Sequence, residues 1–281
     1  MLSYRHAFHA GNHADLLKHF VLSQVLQYFN QKEKPYWVID THAGAGMYAL
    51  KSEFAKKNAE FEDGISRLIL AKNLPTPLED FKNIILDFNK KNELTFYPGS
   101  PKIAEYSCRE QDKLRLFELH PSDSKLLADL FSGKEKQTKV LQQDGFKGIK
   151  ACLPAPTKRA VVLIDPPYEV KDDYEKVVET IKDCLNRFAS GTYLIWYPLL
   201  QRPEPQLMIK NLSQLNIASW LNVTLSVQAP ASDGFGMYGS GMFAINPPWT
   251  LPKILDEAMP SLTELLALDD SAKFIIDAHI S

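Results

Sequence analysis

Only three of the 281 residues are cysteine, and Cys108, Cys152 and Cys184 form no CxxC pair. The chain therefore offers neither a disulfide framework nor the spacing of a zinc site, and its cysteines read as ordinary buried thiols. Long apolar runs are also missing. Nothing approaches the ~18 residues that cross a membrane, and the start Met1-Leu2-Ser3-Tyr4-Arg5-His6 lacks the apolar core of a signal peptide, so a cytoplasmic protein without membrane association is expected. Excess positive charge is absent too. Thirty-two Lys and Arg against 34 Asp and Glu leave a net charge of -2, which argues against gripping nucleic acid through a broad basic surface. A local basic mouth remains open. There is no internal repeat and no low-complexity tract.

What is present is the composition of an α/β domain, 45% hydrophobic and 23% charged. Short β-branched or aromatic runs at 36–40, 114–118, 139–142, 160–164, 192–196, 221–227 and 241–245 alternate with helical patterns. This predicts a seven-stranded, mostly parallel sheet covered on both faces, a Rossmann-like arrangement. The last two runs flank a Gly/Ser-rich stretch, Ala231 to Ser240, and read as a hairpin that makes the final strand antiparallel. Helices are expected near 13–30, 54–72, 77–91, 101–111, 123–133, 172–189, 204–215 and 253–267, with Asn12 capping the first and Ser100-Pro101 opening the fourth. The first and second strands are too far apart for one crossover helix. One domain over 1–281 is expected, with a helical subdomain inserted at roughly 51–97 and a hinge at Leu74-Pro75-Thr76-Pro77.

Four constellations carry chemistry. The first is Asp40-Thr41-His42-Ala43-Gly44-Ala45-Gly46, a strand end running into a glycine turn where backbone can approach a ligand closely. It is not a dinucleotide GxGxxG, since no third glycine follows Gly44 and Gly46, and alone it could be a plain tight turn. In the second, Phe117-Glu118-Leu119-His120, the Glu118 carboxylate can accept both hydroxyls of a ribose. Third is Gln143-Asp144-Gly145-Phe146, where Asp144 can accept from an adenine amine and Phe146 can pack on its ring, although Asp-Gly is also a common turn.

The most specific is Asp165-Pro166-Pro167-Tyr168. Two prolines end a strand abruptly, because neither can donate a backbone hydrogen bond. The Asp165 carboxylate and the Pro166 carbonyl can then accept from an exocyclic amine while Tyr168 offers a face for a base. An amine conjugated to a ring is a poor nucleophile, and two acceptors draw it towards a tetrahedral geometry, with Asp165 the candidate proton acceptor. Asn246-Pro247-Pro248-Trp249 is a near-copy after the last strand. If that strand is antiparallel, the near-copy lies at the far edge of the sheet and is structural.

The first 20 residues hold four of the seven histidines, His6, His9, His13 and His19, together with Arg5 and Lys18, and form the candidate basic mouth. His9 and His13 stand four apart, as paired metal ligands can. No acidic third ligand has matching spacing, so no metal is expected.

Taken together, SYRHAFHAGNHADLLKH, DTHAGAG, YPGSP, ELHPSD, DGF, LIDPPYE and SGMFAINPPW resemble the bacterial RlmJ family of 23S ribosomal RNA adenine-N(6) methyltransferases over essentially the whole chain. The resemblance implies S-adenosyl-L-methionine as cofactor and 23S ribosomal RNA or its precursor as partner. It places His19, His42, Ser100, Glu118, Asp144, Gly145 and Asp165 around the cofactor, with Gly44 and Gly46 in the turn beside it. Asp165, Pro166 and Tyr168 would be catalytic. Tyr4 would contact RNA, with Arg5, His6 and Lys18 alongside. A monomer without an obligatory protein partner is expected. DNA adenine or cytosine amine methylation shares the same motifs, and similar proteins have been described as taking part in the use of external DNA, which leaves two alternatives: a DNA adenine methyltransferase, or a non-catalytic protein involved in uptake or catabolism of external DNA.

Overall fold

A computed structural model of the chain describes residues 9–51, 59–89 and 93–280. The parallel strands arise where the sequence predicts them: β1 (Trp37–Asp40), β4 (Lys113–Phe117), β5 (Thr138–Leu141), β6 (Ala160–Ile164) and β7 (Thr192–Leu199). They are joined by β8 (Trp220–Ser226), β9 (Gly239–Ile245) and β10 (Lys273–His279) in the order β10-β8-β9-β7-β6-β1-β4-β5. β9 runs antiparallel to both β7 and β8.

Both faces of the sheet are covered, and its central strand β6 is apolar and buried at every position. Val38, Val161, Leu163, Leu194 and Met242 point into one core, while Ile39, Val162, Ile164, Ile195 and Phe243 point into the other. This is the period-two alternation of a strand read twice, once per face. On the first face lies α1 (His13–Asn30), capped by Asn12, whose side chain accepts from the amides of Ala14 and Asp15 at 3.0 Å. It is buried nearly all round, polar Asp15, Lys18, His19, Ser23 and Gln24 included. Leu16, Leu17 and Phe20 are wholly buried, each contributing roughly 1.5–3 kcal/mol.

Between β1 and β4 the chain forms β2 (Met47–Ala49), α2 (Ile65–Leu70), α3 (Thr76–Asp87), β3 (Phe96–Pro98) and α4 (Ser100–Ser107). β2 and β3 pair as a small antiparallel ribbon. α4 packs on α1, β1 and β4, and α3 lies against α1, with Phe81 edge-on to Phe20 at 5.9 Å. The remaining helices are α5 (Pro121–Leu130), α6 (Gly145–Cys152), α7 (Asp172–Arg187), α8 (Pro203–Ser213) and α9 (Leu251–Leu266).

Several expectations change. The main sheet has eight strands rather than seven, because β10 adds an antiparallel edge beside β8. It escapes sequence reading since only Phe274 and Ile276 of it pack on the core. The strands of the ribbon are three residues each, too short to show a period. The Asp144-Gly145 turn is the start of α6, with Asp144 as its N-cap accepting from Phe146 N at 2.9 Å. Ser100 is not an N-cap. Gly99 holds that position, and the serine hydroxyl is used elsewhere. Of the helix expected at 54–72, only Ile65–Leu70 is formed among the described residues, and 52–58 lie outside them.

Candidate active site

The carboxyl ends of β1, β4, β5, β6 and β7 share one edge of the sheet, since each pairs in parallel with its neighbour. Chain order reverses there between β1 and β6, which opens a crevice at the switch point. A cavity of about 600 Å³ occupies it. The segments after β1, β4, β5 and β6 and the end of β7 wall it, with α1 crossing one side.

The glycine turn after β1 is built for close backbone approach. Gly44 has φ of 59° and Gly46 of 79°, a region in which an L side chain is strained. A Cβ on Gly44 would stand 2.3 Å from the Tyr48 hydroxyl. The Gly44 N–H donates to Glu118 Oε2 at 2.7 Å, and the His120 N–H donates to Glu118 Oε1 at 2.7 Å. One carboxylate is thus fixed by two backbone amides, each oxygen keeping a further lone pair. Burial raises the Glu118 pKa, opposed by those two hydrogen bonds.

Behind this turn sits Asp40, 2% exposed. Its carboxylate accepts from Ser100 Oγ at 2.6 Å and from the His42 amide at 3.2 Å, tying the start of α4 to the end of β1. Burial pushes its pKa up to about 6, against the lowering effect of the Ser100 hydrogen bond. His42 bonds Thr41 Oγ1 through Nδ1 at 2.8 Å and meets Phe146 edge-on at 4.9 Å. Burial lowers its pKa to about 4, so the ring is neutral near pH 7. His19 shares a 2.8 Å hydrogen bond with the Tyr97 hydroxyl.

At the end of β6, Asp165 Oδ2 accepts from Lys18 Nζ at 2.7 Å, and the same ammonium lies 2.8 Å from Asp15 Oδ1. Burial disfavours the Lys18 charge, but the two carboxylates more than offset this and raise its pKa. Tyr168 adopts φ of 51°, a conformation costing about 1–3 kcal/mol in a non-glycine residue. Its hydroxyl donates to Trp196 O at 2.7 Å, and its ring packs on Tyr174 with centroids 4.5 Å apart. These contacts hold the strained residue in place.

The near-copy differs in edge and conformation. β9 pairs Ile245 with Tyr193 near the start of β7, so Asn246 emerges at the opposite end of the sheet. There Asn246 itself has the positive φ, 50°, and its amide donates to Ala189 O and Gly191 O, both at 2.8 Å. It closes a turn.

The cavity wall brings together Lys18, His19, His42, Gly44, Ser100, Glu118, Asp144, Gly145, Asp165, Pro166 and Tyr168. Gly46 is not on the wall. A Cβ there would meet Leu127 and Leu130, so it serves the turn from behind. Tyr4, Arg5 and His6 lie outside the described residues. Lys18, expected to face RNA, is 4% exposed and engaged with Asp15 and Asp165, so its charge is compensated within the protein. Sequence reading passed over Asp15, Leu119, Trp196 and Met237, which also line the cavity. Asp15 had a signal, its i,i+3 spacing to Lys18. Trp196 had only its place at the end of a strand.

The family model described as "Ribosomal RNA large subunit methyltransferase D, RlmJ" matches residues 33–275. The chain belongs to the RlmJ family. It is 47% identical over 262 residues to the ribosomal RNA large subunit methyltransferase J of Escherichia coli strain K12, covering 93% of each chain. Its identity to the Haemophilus influenzae protein of the same name is 44% over 278 residues, covering 99% of this chain and 98% of that one. A crystal structure of a Legionella pneumophila protein superposes with a TM-score of 0.88 at 33% identity, covering 96% of this chain and 98% of that one.

Like its family, the chain uses S-adenosylmethionine as methyl donor. The residues present fit that group: a carboxylate pinned with lone pairs to spare, a positive-φ glycine on the cavity wall, and a second carboxylate at the N-cap of α6.

Proposed function

We propose that this RlmJ-family protein methylates the 6-amino group of one adenine in large-subunit ribosomal RNA. The observation that carries the reading is the position of Asp165, at the end of β6, on the wall of the cavity that also holds Glu118, Gly44 and Asp144. The relatives' printed names support the RNA substrate.

In this reading Glu118 accepts from the ribose hydroxyls of the cofactor, Asp144 from its adenine amine, and His19, His42, Ser100, Gly44 and Gly145 line its bed. When bound, the cofactor would supply an electrophilic methyl group on a sulfonium, whose sulfur keeps the electron pair of the broken S–C bond as a neutral thioether. The target base must leave its stack to reach the end of β6. Asp165 and the Pro166 carbonyl accept from the two N–H bonds of its amine, which pulls the nitrogen towards tetrahedral geometry and aims its lone pair. As the new N–C bond forms, one amine proton is released, and Asp165 is positioned to take it. Lys18 holds the Asp165 carboxylate in position through an ion pair at 2.7 Å. Tyr168, the last residue of Asp165-Pro166-Pro167-Tyr168, lines the cavity where the base would enter. Tyr4, Arg5 and His6 contact the RNA in this account.

The test is incubation of the protein with methyl-labelled S-adenosylmethionine and unmodified 23S RNA. Label should enter a single adenine, and Asp165→Ala should abolish transfer while cofactor binding stays measurable. Absence of transfer by the intact protein to any RNA contradicts the reading.

A further inference from the structure

The loop between β8 and β9 belongs to the same edge of the sheet as the cavity. β7 runs parallel to β6, so Leu199 stands at the edge where Asp165 emerges, and β9 begins opposite Leu199 with Gly239. The ladder continues outward, Tyr238 N–H donating to Leu199 O at 3.2 Å and Val227 N–H to Tyr238 O at 2.9 Å. Beyond it the chain makes a compact tip. The Gly234 amide donates to Ala231 O at 2.9 Å and the Phe235 amide to Asp233 Oδ1 at 3.0 Å.

Phe235 is presented at this tip with 79% of its surface exposed. Gly234 and Gly236 on either side have φ of 77° and 87°, so the aromatic residue is carried on a bend that other residues rarely adopt. Two residues on, Met237 lines the cavity. An exposed phenylalanine gains nothing from its own fold, and residues 228–238 contain no lysine or arginine to address phosphate. Their chemistry suits the flat face of an unpaired base.

We propose that Phe235 is a stacking platform for a nucleotide flanking the target adenine, making the β8–β9 loop a determinant of RNA recognition. This rests on the adenine-methylation reading. RNA reaching the cavity mouth must place a base neighbouring the extruded one within a few ångströms of the rim, and stacking there compensates for the stacking lost on extrusion. Such contacts tolerate any base, so the loop selects an unpaired stretch rather than a sequence.

The test compares Phe235→Ala, Phe235→Leu and Phe235→Trp on a naked RNA stem-loop containing the methylated site. Phe235→Ala should raise KM for RNA roughly five- to a hundredfold with kcat and KM for S-adenosylmethionine little changed. Phe235→Trp should retain wild-type KM, and Phe235→Leu should behave like Phe235→Ala. Fluorescence of Phe235→Trp should be quenched on adding RNA without cofactor by more than that of the wild type, whose four tryptophans include Trp196 on the cavity wall, a difference that needs no methyl transfer and so separates failure of this proposal from failure of the proposed reaction. Unchanged KM in Phe235→Ala, full rescue by leucine, or an effect seen only on ribosomal particles and not on naked RNA would each overturn it, the last in favour of a protein contact.

Discussion

Lys18 Nζ lies 2.7 Å from Asp165 Oδ2, linking the first helix to the end of β6 across 147 positions of sequence. The ammonium is buried and also serves Asp15, so it is the charge balance for two carboxylates. Lys18→Met should therefore destabilise the protein by about 3–5 kcal/mol, the usual cost of leaving buried charge uncompensated. It should also lower kcat more than it raises KM for RNA. Chemical denaturation and steady-state kinetics check both, and a pure KM effect would instead mark Lys18 as a phosphate contact.

Asp40 predicts a pH effect. Its pKa in the folded protein is about 6 against 3.8 for the free side chain, so the folded state binds the proton more tightly. The associated stability is present below about pH 4 and lost as pH rises through 6, with a magnitude on the order of 3 kcal/mol. Asp40→Asn, which cannot ionise, should gain on the wild type across that window and not above it. Parallel stability profiles for the two proteins from pH 4 to 7 would refute this.

The glycine turn can be probed by paired substitution. Gly44→Ala forces a Cβ to 2.3 Å from the Tyr48 hydroxyl at a φ of 59°, and should cost about 1–2 kcal/mol with a loss of cofactor affinity. Adding Tyr48→Phe removes the atom that clashes, so the double variant should recover part of both. Strict additivity in a thermal-melt and binding cycle would mean that the clash is not the cause.

Glu118→Gln keeps the size of the side chain but exchanges one acceptor oxygen for a donor. KM for S-adenosylmethionine should rise roughly 10- to 100-fold, from about 1.5–3 kcal/mol for hydrogen bonds to a charged acceptor, with kcat at saturation largely retained. Isothermal titration provides an independent check on affinity.

The two Pro-Pro turns should separate cleanly. Asn246→Ala loses hydrogen bonds to Ala189 O and Gly191 O and places alanine at positive φ, for a stability loss of about 2–3 kcal/mol. Activity per folded molecule should be unchanged.

The parallel sheet was legible because each strand is a short apolar run bounded by turn residues, and the site because Asp40, Glu118, Asp144 and Asp165 each close or follow such a run. Parallel pairing then brings those ends to one edge with no further information. What sequence could not show is what decides the details. Ser100 resembled an N-cap, yet its hydroxyl serves Asp40, 60 positions earlier. Lys18 resembled a phosphate contact because helix residues near a basic segment usually face solvent, whereas α1 is buried nearly all round. β10 holds an edge through two side chains, and its apolar run, Phe274-Ile275-Ile276, is too short to show a period. Contacts across such separations follow from packing and not from local pattern.

The identity of the modified atom defines the reaction. Large-subunit RNA lacking the modification, incubated with the protein and methyl-labelled S-adenosylmethionine, then digested to nucleosides and resolved by chromatography and mass spectrometry, reads it directly. Label is expected in N6-methyladenosine alone, at one site per RNA molecule, and none with Asp165→Ala. Label in a methylated cytidine or on an adenine ring carbon, or transfer that survives Asp165→Ala, would contradict it.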